Sequence, residues 1–233
     1  TVLSVIIESC ITETKVTVAE KYTKKQYLID IKDGFSYVKK EKGIRNIYTY
    51  MSITNGASSG VAVITQAYYQ TQPWLTVTML GFLKSGEMIG RVLSGFVQYA
   101  KEIPVKKRYS FTKFVYTVYD TMDSILLFLP FPWMLANRFL CGGLGTSSAT
   151  IRETAVQSYL PPEMRARVNA IFNVTFAVGG IFFQLLAGIL GQIMPYRIAA
   201  LILGLTTLTS MYFLIVRPAS QNRPIYEATR NKG

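Results

Sequence analysis

Six stretches of the chain, residues 47–69, 75–100, 110–129, 133–157, 168–190 and 197–216, are apolar over lengths near the roughly 20 residues that a helix needs to cross a bilayer. A water-soluble core of this size would alternate amphipathic elements with polar faces. It would not return repeatedly to runs such as AIFNVTFAVGGIFFQLLAGILG. The expectation is therefore an all-α, polytopic membrane protein with a bundle of six transmembrane helices over residues 47–216.

The charges between the runs give an orientation. Residues 12–46 hold nine Lys and Arg and residues 101–109 hold four, with Arg165 and Arg167 in the next such loop and Arg217, Arg223, Arg230 and Lys232 in the tail at 217–233. The alternate connections, QTQP, PFP and GQIMPY, hold none. By the positive-inside rule the basic loops and the carboxy terminus are expected to be cytoplasmic, in a multi-pass protein of the plasma membrane. The 25 Lys and Arg against 13 Asp and Glu thus read as a topology signal. They are spread over separate loops without an aromatic-interleaved groove, so nucleic acid is not expected as a partner.

The first 11 residues, TVLSVIIESCI, are too short to span and have neither a basic start nor a small-residue cleavage site. They read as the remnant of a preceding truncated span, followed at 12–46 by a basic cytoplasmic linker. In that linker Leu28, Ile31, Phe35 and Val38 recur at helical spacing among lysines, as in a helix lying along a lipid surface. Cys10 and Cys141 have no CxxC or His neighbour, which supports neither a disulfide framework nor a metal site. Cys141 reads as a small packing residue. Histidine is absent, no serine has an evident base, and the glycine pairs lack a phosphate-binding context. Neither enzyme chemistry nor a cofactor is expected.

Small residues recur about one turn apart in NGASSG, GEMIGRVLSG and GGLGTSSA, which predicts close helix packing. Ions also occur inside the runs. Lys84, Glu87 and Arg91 share one face of the second, and a charge left in lipid costs about 2.5 to 3.5 kcal/mol on insertion scales, so that face must meet protein or water. Asp120 and Asp123 lie in the third run at a depth that permits pairing with this stripe. Two roles remain open for Glu87, Asp120 and Asp123: a static ion-pair network, or exchange of a proton during turnover. Arg138, near the outer end of the fourth run, is read first as snorkelling outward and second as lining a cavity.

The order of NRFLCGGLG, LPPEMRARV and VGGIFFQLLAGILG, preceded by DIKDGFSYVKKEKGIR, resembles the carboxy-terminal six-helix half of major facilitator superfamily transporters, bacterial efflux-type members in particular. The segment SGFVQYAKEIPVKKRY departs from the superfamily's pattern by lacking its Asp-Arg pair. The resemblance implies secondary active transport of a small-molecule substrate, coupled to protons and working by alternating access with a missing amino-terminal half or a second copy. It also implies that the first, second, fourth and fifth spans face the cavity. Asn55, Gln66, Lys84, Glu87, Arg91, Arg138 and Asn173 are then expected on the substrate or proton pathway. Asp120 and Asp123 become structural residues bracing the second span. Import of an anionic metabolite drawn to Lys84, Arg91 and Arg138, and a non-transporting fragment or scaffold, are the alternatives.

Overall fold

The computed structural model describes residues 24–101 and 103–228, with side chains from residue 29 onward. The expected remnant span at 1–11, Cys10, the first lysines of the linker, the side chain of Leu28 and the end of the tail lie outside the described residues.

The described residues form helices α1 (Lys24–Lys40), α2 (Lys42–Thr71), α3 (Val77–Ala100), α4 (Val105–Ile125), α5 (Phe131–Tyr159), α6 (Pro162–Ile193), α7 (Tyr196–Met211) and α8 (Ala219–Tyr226). A short 3-10 turn, Leu126–Phe128, follows α4, and a π-helical turn, Tyr212–Val216, extends α7. Local chemistry sets these boundaries. Each helix from α4 to α8 begins directly after a proline: Pro104, Pro130, Pro161, Pro195 and Pro218. Leu129, Leu160 and Met194, each next to a proline, are extended, which ends the preceding segment there, whereas Arg217 before Pro218 keeps helical dihedrals. The carbonyls of Pro130, Pro195 and Pro218 accept from Met134, Ala199 and Asn222. Thr76 starts α3 differently, its side chain accepting from the Met79 amide at 3.2 Å.

Two of these helices, Pro162–Ile193 and the stretch Tyr196–Val216, are long and apolar enough to cross a membrane by length and composition. The other long helices carry ions or many small polar residues, which lowers their hydropathy without shortening them. Large apolar side chains are nevertheless exposed along α3 (Met88, Ile89, Val92, Phe96) and α6 (Val174, Val178, Ile181, Leu185). A monomeric soluble protein rarely leaves contiguous apolar surface of this kind uncovered.

The helices pack as two tight pairs, α2 with α6 and α3 with α5, joined through α4 and α7. Glycine makes both pairs possible. A Cβ at Gly56 would lie 2.6 Å from the Gly179 carbonyl oxygen, and one at Gly60 would lie 2.9 Å from that of Phe183. In the other pair, a Cβ at Gly90 or Gly142 would collide with the carbonyls of Phe139 and Glu87 respectively. The Ser94 and Ser147 hydroxyls meet at 2.8 Å along the same seam. Not every glycine serves packing: Gly81, Gly95 and Gly188 face open space.

At the end of the bundle where α2 begins, α1 and α8 close it off. Asp30, Gly34 and Val38 are buried on one face of α1, while Ile31 and Phe35 remain exposed on another. Arg167 of α6 holds this helix through Asp30 at 2.8 Å and Asp33 at 3.8 Å. Beside it, the Tyr159 hydroxyl donates to Glu41 at 3.0 Å. Burial first, then the bond to Glu41, hold that phenol above its ordinary range, so it remains a donor.

Residues 219–226, read from sequence as part of a tail, form a helix with one face buried, that of Asn222, Ile225 and Tyr226. Asn222 and Tyr226 are fully buried in the socket that α8 fills against α2, α4 and α5. The π turn helps to explain why α8 docks there. Widening the helix displaces carbonyls from their ordinary intrahelical partners, and Asn222 Nδ2 donates to those of Leu214 and Ile215 at 2.7 and 3.1 Å. Tyr109 donates to the Ile215 carbonyl at 2.7 Å. Asn46 of α2 completes the socket by donating to Asn222 Oδ1 at 3.4 Å.

Candidate functional site

Near the middle of the bundle, α2, α4 and α5 enclose a cavity of about 350 Å³, with Arg91 of α3 and Phe176 of α6 at its margins. Its wall is polar. Asn55 and Ser58 come from α2, Tyr116 and Tyr119 from α4, and Thr146, Ser148, Thr150 and Arg152 from α5. Among the small residues of GGLGTSSA, Gly145 keeps this space open beside Tyr119, since a Cβ there would lie 3.4 Å from that ring.

A network of buried acids lies behind the cavity wall. Asp123 receives Arg138 Nη2 on one carboxylate oxygen at 2.6 Å and the Ser58 hydroxyl on the other at 2.9 Å. Asp120 accepts from the Tyr50 hydroxyl at 2.9 Å. Asn137, next to Arg138, donates to the Met122 carbonyl at 2.8 Å and fixes the start of α5 against the end of α4. These contacts correct two expectations. Arg138 does not snorkel outward: its side chain is 11% exposed and points at Asp123. The aspartates do not brace the second span, because their partners lie on α2 and α5. The reason is rotational. The tight turn at 126–130 returns the chain so that the α5 face carrying Arg138 meets the α4 face carrying Asp123.

The expected pathway residues divide into groups. Asn55 and Arg91 line the cavity. Glu87 pairs with Arg91 at 2.5 Å, and the two side chains are 24% and 54% exposed. Lys84 lies on the same helix, exposed and outside every ion pair found among the described residues. Gln66 and Asn173 are exposed and do not reach the cavity. Arg138 stands behind the wall: it lies 3.9 Å from the Cys141 sulfur, and Cys141 is itself part of the lining.

Sequence reasoning passed over Tyr50, Ser58, Tyr116, Tyr119 and Arg152. Arg152 carried a usable signal, an ionisable residue within an apolar run. The tyrosines and the serine did not, because such residues are common wherever helices pack.

The sequence model of the Major Facilitator Superfamily matches residues 122–231, just under half of the chain. The matched part runs from the end of α4 through α8 and includes Asp123, Arg138 and Arg152. It is similar to a superfamily of membrane transporters. No curated protein and no solved structure matches the chain.

Proposed function

We propose that the chain is one six-helix half of a major facilitator superfamily transporter, carrying a small molecule across a plasma membrane by proton-coupled export. Helices α2–α7 are the six spans, with α1, α8 and the basic loops on the cytoplasmic side, following the positive-inside distribution of Lys and Arg. The observation that carries this reading is a cavity with buried and charged polar groups in its wall, in a bundle that exposes large apolar side chains along α3 and α6. The superfamily match over residues 122–231 supports it independently.

One wall of such a cavity needs a facing half, from an amino-terminal six-helix unit or from a second copy. A polar stripe fits that contact. Asn55, Ser59, Gln66 and Gln70 follow one another along α2 at helical spacing, and Gln66 and Gln70 are exposed. Lys84, Glu87 and Arg91 of α3 supply charge near the same opening, with Glu87 as the proton carrier. Alternating access then consists of rocking the two halves about the cavity.

The test is solute-driven proton flux. The protein is reconstituted in vesicles loaded with a pH-sensitive dye and offered an organic acid, a neutral sugar and an organic cation in turn. The proposal expects flux with at least one class and none in empty vesicles. Absence of flux with all three, in protein shown to be folded and inserted, would overturn it.

A further inference from the structure

The buried arginines of α5 differ in how they are neutralised, and the difference points to a ligand. Arg138 is held by Asp123 at 2.6 Å, with both side chains buried. Arg152 is equally buried, its side chain 11% exposed, yet its carboxylate partner is Glu153 at 3.5 Å, which is itself 69% exposed. Its shortest contact, at 2.8 Å, is to the Met51 sulfur, a weak acceptor. It also lies beside the Tyr116 and Tyr226 hydroxyls. Arg152 and Glu153 both line the cavity, so the buried guanidinium reaches it with an acid partner that is itself mostly exposed. The other cation of the lining, Arg91, is already taken by Glu87. A buried arginine in that position is suited to a planar anionic group, which its fork of donors matches in geometry.

The rest of the wall narrows the class further. The hydroxyl of Ser58 donates to Asp123, and those of Thr146, Ser148 and Thr150 donate to the carbonyls of Gly142, Gly145 and Thr146. Their protons are committed, so toward the cavity these oxygens act as acceptors. These four acceptors favour a ligand that brings hydroxyl donors, and the Asn55 amide on the same wall adds a donor for it.

We propose that this cavity binds a small hydroxylated organic acid, its carboxylate on Arg152 and its hydroxyls on the oxygens of Ser58, Thr146, Ser148 and Thr150. The volume of about 350 Å³ lies near the small end of ligand sites, roughly 300 to 1,000 Å³, which suits a compact acid. The inference rests on reading the cavity as the transport site, but binding can be measured without transport.

Three probes separate the two recognition elements in the purified, detergent-solubilised protein. Gluconate has the carboxylate and the hydroxyls, glucose has the hydroxyls alone, and hexanoate has the carboxylate alone. By titration calorimetry gluconate is expected to bind about tenfold or more tightly than either of the others. Arg152→Gln is expected to remove that preference over glucose, and Arg152→Lys to keep part of it. Equal affinity for gluconate and glucose, or no binding of gluconate at about 10 mM, would overturn the proposal on the unaltered protein alone, whether or not the variants fold. Binding of gluconate without proton flux would leave this inference standing and remove the transport reading. Flux driven only by the neutral sugar or the organic cation would do the reverse.

Discussion

Two ion pairs of almost equal length, Asp123–Arg138 at 2.6 Å and Glu87–Arg91 at 2.5 Å, sit in opposite surroundings. The first joins two helices, is buried, and has the second carboxylate oxygen taken by Ser58. The second lies within one helix, where residues four apart meet without any help from the fold, and more than half of the Arg91 side chain is exposed. Distance alone therefore separates nothing. Burial and connectivity make one pair a fastener between α4 and α5 and leave the other partly solvated and local to α3.

The largest effect is expected from breaking the fastener. Arg138→Ala leaves Asp123 buried without its counter-ion and should cost about 3 to 5 kcal/mol, visible as a large drop in the thermal unfolding midpoint in detergent. Next comes the glycine seam that carries α3. Gly142→Leu would push its side chain into the Glu87 carbonyl and should cost about 1 to 3 kcal/mol or more. Cysteines placed at Ser94 and Ser147 should cross-link readily in the parent and poorly in that variant, whereas Gly95→Leu, facing open space, should leave cross-linking unchanged.

A smaller loss, about 1 to 2 kcal/mol, is expected for Tyr50→Phe, which deprives Asp120 of its donor. Glu87→Gln should change stability least, by less than about 1 kcal/mol, because the pair it breaks is partly solvated and local to one helix. Its effect should instead fall on solute-driven proton flux. Unaltered flux in Glu87→Gln would end the distinction between a structural pair and a working one.

Much of the helical layout was legible because it depends on local signals. Apolar runs broken near prolines state where helices stop and start, and α4 to α7 each begin directly after one. The spacing of Lys84, Glu87 and Arg91 likewise gave their common face. What spacing cannot supply is the rotation of one helix against the next. Arg138 was misplaced for that reason: depth along α5 was readable, but not that its face turns toward α4. The socket for α8 was hidden for another reason. SQNRPIY carries a proline and polar residues, so it reads as tail, and the bonds that bury it reach Asn46, Leu214 and Ile215. Those partners depend on a π turn that no composition signal announces.

The docking of α8 has a consequence for the order of events in synthesis. Asn46 and Asn222 meet across 176 positions of sequence, so the first leaves the ribosome well before the second. Until α8 is made, Asn46 and the carbonyls of Leu214 and Ile215 have no Asn222 to pair with, and the hydrophobic socket around Tyr226 stands open. Closure of this bundle thus waits on synthesis of α8, because it depends on a long-range contact. A nascent chain stalled before Pro218 would present that open socket to chaperones and proteases.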